Sequence, residues 1–175
     1  MKKYVITASI LLLLAGCSAS TATAVDSDIQ VTKHHTVKPL TLVEAAKAHR
    51  NTARMKDVVK YLETRVGRTA YVFSGASPRG WDCSGLVRWT YERFGLELPH
   101  SADKQGHIGK RVHTPKLGDI VVFAYPGSTH FYHAAIYIGN GKIINAHYGA
   151  HSTIIQPLTD YKGQQIRFIR IVETL

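Results

Sequence analysis

The chain has 175 residues, of which 45% are hydrophobic, and it carries a formal net charge of +10 with only two cysteines. This length and composition suit one globular domain with a buried core. Basic proteins attract anionic polymers, but the sequence has no basic stripe interleaved with aromatic residues, which argues against a nucleic-acid-binding protein.

The N-terminus has the pattern of a bacterial export signal. Lys2 and Lys3 precede an apolar run over residues 4–14, which is shorter than the roughly 20 residues that cross a bilayer. The letters LAGC then end at Cys17 and resemble the lipobox of bacterial lipoproteins. The resemblance implies that residues 1–16 are a cleaved signal peptide and that the Cys17 thiol is lipidated. An ordinary signal with a chance cysteine is the alternative.

Residues 17–40 are predicted to be the lipidated cysteine and a flexible tether, because they are rich in Ser, Thr and Ala and show no apolar periodicity. We therefore expect a protein that its lipid anchors to a membrane of the cell envelope, facing the periplasm from the outer membrane if the source has two membranes. Its remaining positive charge suits anionic envelope polymers. The folded domain is predicted over residues 41–175.

Two helical segments come first in this domain. Apolar residues recur at three- and four-residue spacing across residues 41–66, with a potential break at 51–52 and a potential C-cap at Gly67. A second helix is predicted over residues 83–94, with Asp82 as its N-cap.

Strands dominate the second half of the domain. The letters LGDIVVFAY predict a buried strand, HAAIYIGNGKIINAH at residues 133–147 predicts a β-hairpin, and TIIQPL and IRFIRIV predict two further strands. Helices followed by an antiparallel sheet indicate the α+β class.

Cys83 is the residue at which chemistry is predicted. If Cys17 is lipidated, the mature chain has a single thiol, and an unpaired cysteine outside the cytosol is a candidate reactive group. The free N–H groups and the positive dipole end at a helix start favour the thiolate, so we predict a lowered pKa and a nucleophilic role for Cys83. Its backbone N–H also suits an oxyanion hole. The alternative is a small apolar residue in the core.

A nucleophilic thiol needs a base, and His133 is the best placed of the ten histidines because it opens a predicted strand. The hairpin permits two registers. A two-residue turn at residues 140–141 puts Asn145 and His147 on the face opposite to His133. A three-residue loop with a G1 bulge at Gly141 puts both on the same face as His133. We favour the second register because it separates polar from apolar residues and supplies a third group to orient the imidazole.

Several ordered motifs resemble those of the NlpC-type cell-wall peptidases, a papain-like group. They are DCSGLV at residues 82–87, FGLELPHSADKQ at 94–105, LGDIVVF at 117–123 and the hairpin at 133–147, within a match over 56–170. The resemblance implies a papain-like α+β fold with N-terminal helices packed on a central antiparallel sheet. It also implies a cysteine peptidase that hydrolyses peptidoglycan stem peptides, commonly between γ-D-glutamate and a diamino acid, in cell-wall remodelling or lysis.

The resemblance also assigns catalytic roles by position. Cys83 matches the nucleophile and His133 the base. Asn145 falls at the third position, where many relatives carry histidine, and His147 is the alternative. An amide can orient an imidazole by a hydrogen bond but cannot carry charge.

Three further residues are predicted to bind substrate. Tyr71 matches an upstream tyrosine that resembles a substrate-contact or oxyanion position, with a core aromatic as the alternative. Asp82 and Ser84 are predicted to touch the substrate peptide, with helix capping as the alternative for Asp82. His100 stands where relatives usually carry arginine.

Other functions fit parts of the sequence. A metal site would draw on Cys83 and the histidines at 130, 133, 147 and 151, but no HExxH or CxxC pattern supports it, so we predict no metal and no cofactor. The same Cys-His pair suits an amidase or acyltransferase on another envelope substrate. A non-catalytic envelope-binding lipoprotein needs no reactive thiol at all. We expect a monomer whose partners are stem peptides and, through its lipid, the membrane.

Overall fold

The computed structural model describes residues 40–175 of the chain. The predicted signal peptide, the predicted lipidation at Cys17 and the tether up to residue 39 lie outside the described residues. The division of the chain at residues 16, 17 and 41 therefore stays a prediction.

Helix α1 runs without interruption over Leu42–Glu63 and begins with a capping box between Thr41 and Glu44. The break predicted at residues 51–52 is wrong. The Thr52 hydroxyl donates to the Ala48 carbonyl one turn back at 2.8 Å, a bond that helices accommodate at a small cost. Asn51 reaches away from the helix to the Glu173 carbonyl at 3.0 Å.

The first helix also ends earlier than predicted. Its C-cap is Thr64, whose N–H bonds the carbonyl of Lys60, and Gly67 follows in a turn with φ of +67°. Within residues 40–175, none of the helices combines the length and the apolar character that a membrane-spanning segment requires.

The second helix, α2, spans Cys83–Glu92 with Asp82 as its N-cap, as predicted, and ends two residues before the predicted end. It follows a short antiparallel pair, β1 at Ala76–Ser77 and β2 at Gly80–Trp81. A single-turn helix, α3, covers Ala102–Gln105.

The remaining strands form one six-stranded sheet. In chain order they are β3 Lys110–Val112, β4 Ile120–Ala124, β5 His133–Gly139, β6 Lys142–His147, β7 Ser152–Pro157 and β8 Gln165–Arg170. All neighbouring pairs are antiparallel, in the spatial order β3-β8-β4-β5-β6-β7. The predicted α+β class is confirmed.

The two faces of this sheet bury different apolar sets. One face packs against the helices and includes Ala134, Ile136 and Ile144. The other is covered by Tyr161, the last residue of a 3-10 helix over Leu158–Tyr161 that follows β7. The odd-numbered residues of β5 up to Tyr137 and those of β6 belong to this second face, since Ala135, Tyr137 and Ile143 lie in its cluster.

The hairpin combines parts of both predicted registers. Ile136 pairs with Ile144, as the favoured register requires, but Gly139 pairs with Lys142 across the two-residue turn Asn140–Gly141. Both turn residues have positive φ, which a type I′ turn needs. Strand β5 therefore contains one extra residue, Ile138, which forms a bulge. The predicted three-residue loop is wrong, but the predicted polar face is confirmed.

Candidate active site

Cys83 is the first residue of α2, and its thiol is free and half-buried. The sulfur lies within reach of three backbone N–H groups, those of Ala134, Ser84 and Cys83 itself. The last two are among the N–H groups that a helix start leaves without an intrahelical partner. The fold thus collects hydrogen-bond donors around the sulfur, where they stabilise the thiolate form.

The pKa of Cys83 is raised rather than lowered. Burial is the largest cause and the Asp82 carboxylate adds to it, while the three N–H groups act in the opposite direction. The expectation from the helix start is therefore wrong in direction, because removing the thiolate from water outweighs the helix donors.

His133 opens β5 and is 8% exposed. His133 directly precedes Ala134, whose backbone N–H lies within reach of the Cys83 sulfur. Its Nε2 lies 3.1 Å from Oδ1 of Asn145. Burial lowers the pKa of His133 to about 4, with the neighbouring His147 adding to this and the Asn145 hydrogen bond opposing it. The imidazole is therefore neutral at neutral pH.

Of the two residues predicted for the third position, Asn145 forms the hydrogen bond with His133 and His147 does not. Asn145 is fully buried on β6. The His147 ring stands edge-on to His133 with 6.2 Å between ring centroids, and its Nδ1 accepts the Ala150 N–H at 3.1 Å.

Sequence reasoning missed the residues behind Asn145. Its Nδ2 donates to Oε1 of Gln156 at 3.0 Å, and the same oxygen accepts the Tyr161 hydroxyl at 3.2 Å. The amide of Gln156 reaches Oδ2 of Asp160 at 3.4 Å. The available signal was Gln156 itself, a polar residue within the apolar run TIIQPL.

Two aromatic rings enclose the imidazole. The Tyr161 ring is nearly parallel to His133, with centroids 6.0 Å apart and 13° between planes, and it stacks on Phe123 at 3.9 Å. These rings keep water from the face of His133, which accounts for much of the desolvation that lowers its pKa.

Asp82 caps α2 and ties it to its surroundings. Oδ1 accepts hydrogen bonds from the Gly85 N–H, the Ser84 hydroxyl and the His100 ring, and Oδ2 accepts one from the Ser74 N–H. Asp82 and Ser84 are both buried. These bonds support the capping alternative for Asp82, and the substrate contacts of both residues stay predictions.

Tyr71 lies at the open side of the site. The pKa of its phenol is raised, first by burial and then by the nearby Cys83 and Asp82, which places the hydroxyl in the field of the thiol. The exposed Tyr148 packs edge-on against the ring at 5.4 Å. Tyr71 also packs, partly buried, against the core, as the core-aromatic alternative requires, and its role in substrate binding stays a prediction.

The residues considered for a metal site do not form a set of ligands. Within residues 40–175, no three His, Cys, Asp or Glu side chains are arranged to hold a metal ion. His130 is exposed and points to Asp103, with 3.3 Å between Nδ1 and Oδ1.

Comparison with known proteins gives two family matches. The NlpC/P60 family matches residues 67–170, and a prokaryotic membrane lipoprotein lipid attachment site matches residues 1–18. Among curated relatives, a probable endopeptidase of Mycobacterium tuberculosis is 41% identical over 91 residues, which are 51% of this chain and 22% of that protein. A gamma-DL-glutamyl hydrolase of Bacillus subtilis is 37% identical over 122 residues, 67% of this chain and 29% of that protein.

Solved structures agree with these matches. NlpC2 from Trichomonas vaginalis superposes with a TM-score of 0.61 at 28% identity, over 70% of this chain and 47% of that one. An NlpC/P60 family protein from Bacillus cereus gives a TM-score of 0.61 at 27% identity, over 67% and 40%. The chain thus spans less than a third of the length of the two curated relatives described above.

Proposed function

Because the chain belongs to the NlpC/P60 family, we propose that its folded domain is a cysteine peptidase that hydrolyses amide bonds in peptidoglycan stem peptides. The proposed target is the bond between γ-D-glutamate and a diamino acid. One observation carries the proposal, namely the Cys83 sulfur at the start of α2, beside a His133 whose Nε2 is bonded to Asn145.

Cys83 is the proposed nucleophile and His133 the proposed base. The sulfur attacks the stem-peptide carbonyl while the thiol proton passes to Nδ1 of His133, and the N–H groups of Cys83 and Ser84 donate to the oxyanion. The imidazolium then protonates the leaving amine, which leaves a thioester. Water attacks the thioester and gives a proton to His133, which returns it to the departing thiolate. Asn145 orients the imidazole throughout.

The pKa shifts disfavour a resting thiolate–imidazolium pair, so we propose that the proton moves as the sulfur attacks. Burial raises the pKa of Cys83 and lowers that of His133 to about 4, so the resting pair is a neutral thiol and a neutral imidazole. Charge separates only as the carbonyl is attacked, when the N–H groups of Cys83 and Ser84 donate hydrogen bonds to the developing oxyanion.

The domain is proposed to act from a membrane anchor. The lipid attachment site over residues 1–18 supports lipid anchoring in the cell envelope. We propose Cys17 as the lipidated residue, residues 17–40 as the tether, and a monomer that faces the periplasm from an outer membrane where the source has one. Tyr71, Asp82 and Ser84 remain the proposed substrate contacts.

Digestion of purified peptidoglycan tests the proposal. Wild type is expected to release fragments that mass spectrometry identifies as stem peptides opened before the diamino acid. Cys83→Ala should lose activity by at least about 10³-fold with an unchanged melting temperature. Wild type that releases no fragments overturns the hydrolase, and Cys83→Ala that matches wild type overturns the nucleophile.

The same digestion separates the alternatives. An acyltransferase would yield products joined to an acceptor other than water, and an amidase on another substrate would leave stem peptides intact. A binding lipoprotein would sediment with peptidoglycan and release nothing. Each of these results contradicts the proposed peptidase.

A further inference from the structure

A chain of hydrogen bonds runs from the surface to His133 through two amide side chains. It starts at the exposed Asp160, whose Oδ2 lies 3.4 Å from Nε2 of Gln156. A carboxylate only accepts hydrogen bonds. Asp160 therefore turns the amide nitrogen of Gln156 toward itself and the amide oxygen toward the interior.

The second amide is aligned by the first. Oε1 of Gln156 accepts Nδ2 of Asn145 at 3.0 Å and the Tyr161 hydroxyl at 3.2 Å. Turning the Asn145 amide over would bring its oxygen against Oε1 of Gln156. Two acceptors, one of them on the fully buried Asn145, would then face each other without a proton, which costs free energy because the buried oxygen loses its hydrogen bond. Gln156 thus fixes the Asn145 amide in one orientation.

The fixed orientation of the Asn145 amide determines which nitrogen of the His133 imidazole carries the proton. Oδ1 of Asn145 faces Nε2 of His133 at 3.1 Å, and because an amide oxygen only accepts, Nε2 must carry the proton. Nδ1 then keeps its lone pair, which is the form that takes a proton from a thiol. The other tautomer would present an N–H to the thiol and could not act as the base.

We propose that Gln156, oriented by Asp160, is a positioning residue that selects the Nε2-protonated tautomer of His133. The effect of Gln156 on catalysis rests on the proposed peptidase function. Its effect on the tautomer does not, because the tautomer is a property of the free protein. Asp160, Gln156 and Asn145 each act on the next member, and the Tyr161 hydroxyl joins as a branch at Oε1 of Gln156.

Two glutamine substitutions and one control test the role of Gln156. Gln156→Met keeps the length of the side chain and removes its three hydrogen bonds, with Asn145, Tyr161 and Asp160. Gln156→Glu keeps an acceptor toward Asn145 and Tyr161. Gln165→Met makes the same chemical change at an exposed glutamine of β8, whose amide reaches the Tyr125 carbonyl instead.

The first readout is the protonation of His133 in histidine-¹⁵N-labelled protein, from long-range ¹H–¹⁵N NMR with the signals assigned by His133→Gln. Wild type, Gln156→Glu and Gln165→Met are expected to show the Nε2-protonated form alone. Gln156→Met is expected to show a mixture with the Nδ1-protonated form. Because Asp160 is exposed, Asp160→Ala should leave the fold intact and give a smaller shift in the same direction.

The second readout is turnover of the soluble tripeptide L-alanyl-γ-D-glutamyl-diaminopimelate. Gln156→Met should lower kcat by about 10-fold with KM unchanged, and Gln156→Glu should restore it. A pure Nε2-protonated form in both Gln156→Met and Asp160→Ala overturns the proposal. An inactive wild type with the expected tautomers overturns the peptidase but leaves the positioning role standing.

Discussion

Asn145 is joined to His133 by a hydrogen bond of 3.1 Å between Oδ1 and Nε2, whereas His147 turns its Nδ1 to the Ala150 N–H. We predict that Asn145→Ala lowers kcat by about 10²-fold, because an imidazole that is free to tilt loses its alignment with the thiol. His147→Ala should change kcat by no more than about 3-fold. Steady-state kinetics on a soluble stem peptide decides the order, and a larger loss for His147→Ala would make it the third residue.

The acid side of the pH profile follows from the burial of His133. The base works only in its neutral form, and burial lowers its pKa to about 4. Activity should therefore persist as the pH falls below neutral and be lost as it falls through about 4. The measurement is kcat/KM from about pH 3 to pH 8, which reports the free enzyme.

A matched variant checks the cause of this acid limb. The Asn145 hydrogen bond raises the pKa of His133, so Asn145→Ala should move the limb to lower pH. A limb near the ordinary histidine value of about 6.5 in wild type would contradict the neutral, desolvated base.

Asp82→Ala should destabilise the domain, since it removes the N-cap and leaves the N–H groups of Gly85 and Ser74 without their acceptor. We expect a loss of about 2–3 kcal/mol in the free energy of unfolding, measured by urea denaturation. An unchanged stability with reduced turnover would instead favour the substrate contact. Tyr71→Phe is the comparison for a lost substrate contact, because it removes only the hydroxyl, retains the ring and should leave the free energy of unfolding unchanged.

Gly85→Ala tests why glycine follows Ser84. A Cβ at this position would lie 1.9 Å from the Gly75 carbonyl oxygen and 3.0 Å from the His100 ring. The loop before β1 would have to move away from α2, so we expect a loss of about 1–3 kcal/mol in stability by urea denaturation. Gly149→Ala is the control, because its Cβ would contact only the His147 ring, at 3.2 Å, and no backbone atom. Equal effects of the two changes would contradict the close approach at Gly85.

The local features of the site could be predicted from the sequence. Cys83 at a helix start and His133 at a strand start follow from capping and alternation, and both lie where predicted. The polar face shared by His133 and Asn145 was inferred from the separation of polar and apolar residues. These patterns depend on residues that are close together in the sequence, so tertiary packing does not change what they predict.

Features that depend on tertiary packing could not be predicted. The direction of the Cys83 pKa depends on burial by distant strands, which outweighs the local helix effect. Gln156 joins the site through the pairing of β6 with β7, and no spacing in the sequence marks it as a partner of Asn145. The bulge at Ile138 was missed because a tight turn with a bulge gives the same face as a longer loop.

That bulge determines which face of the sheet carries Asn145, and so whether Asn145 can reach His133. If Ile138 were paired instead of bulged, the tight turn would pair residue 136 with residue 145, and Asn145 would point toward the helices instead of His133. Deletion of Ile138 itself would remove the bulge but keep residue 136 paired with residue 144, so we expect the base and its partner to stay on the same face. The active site therefore depends on this residue being left out of the ladder, and not on its side chain.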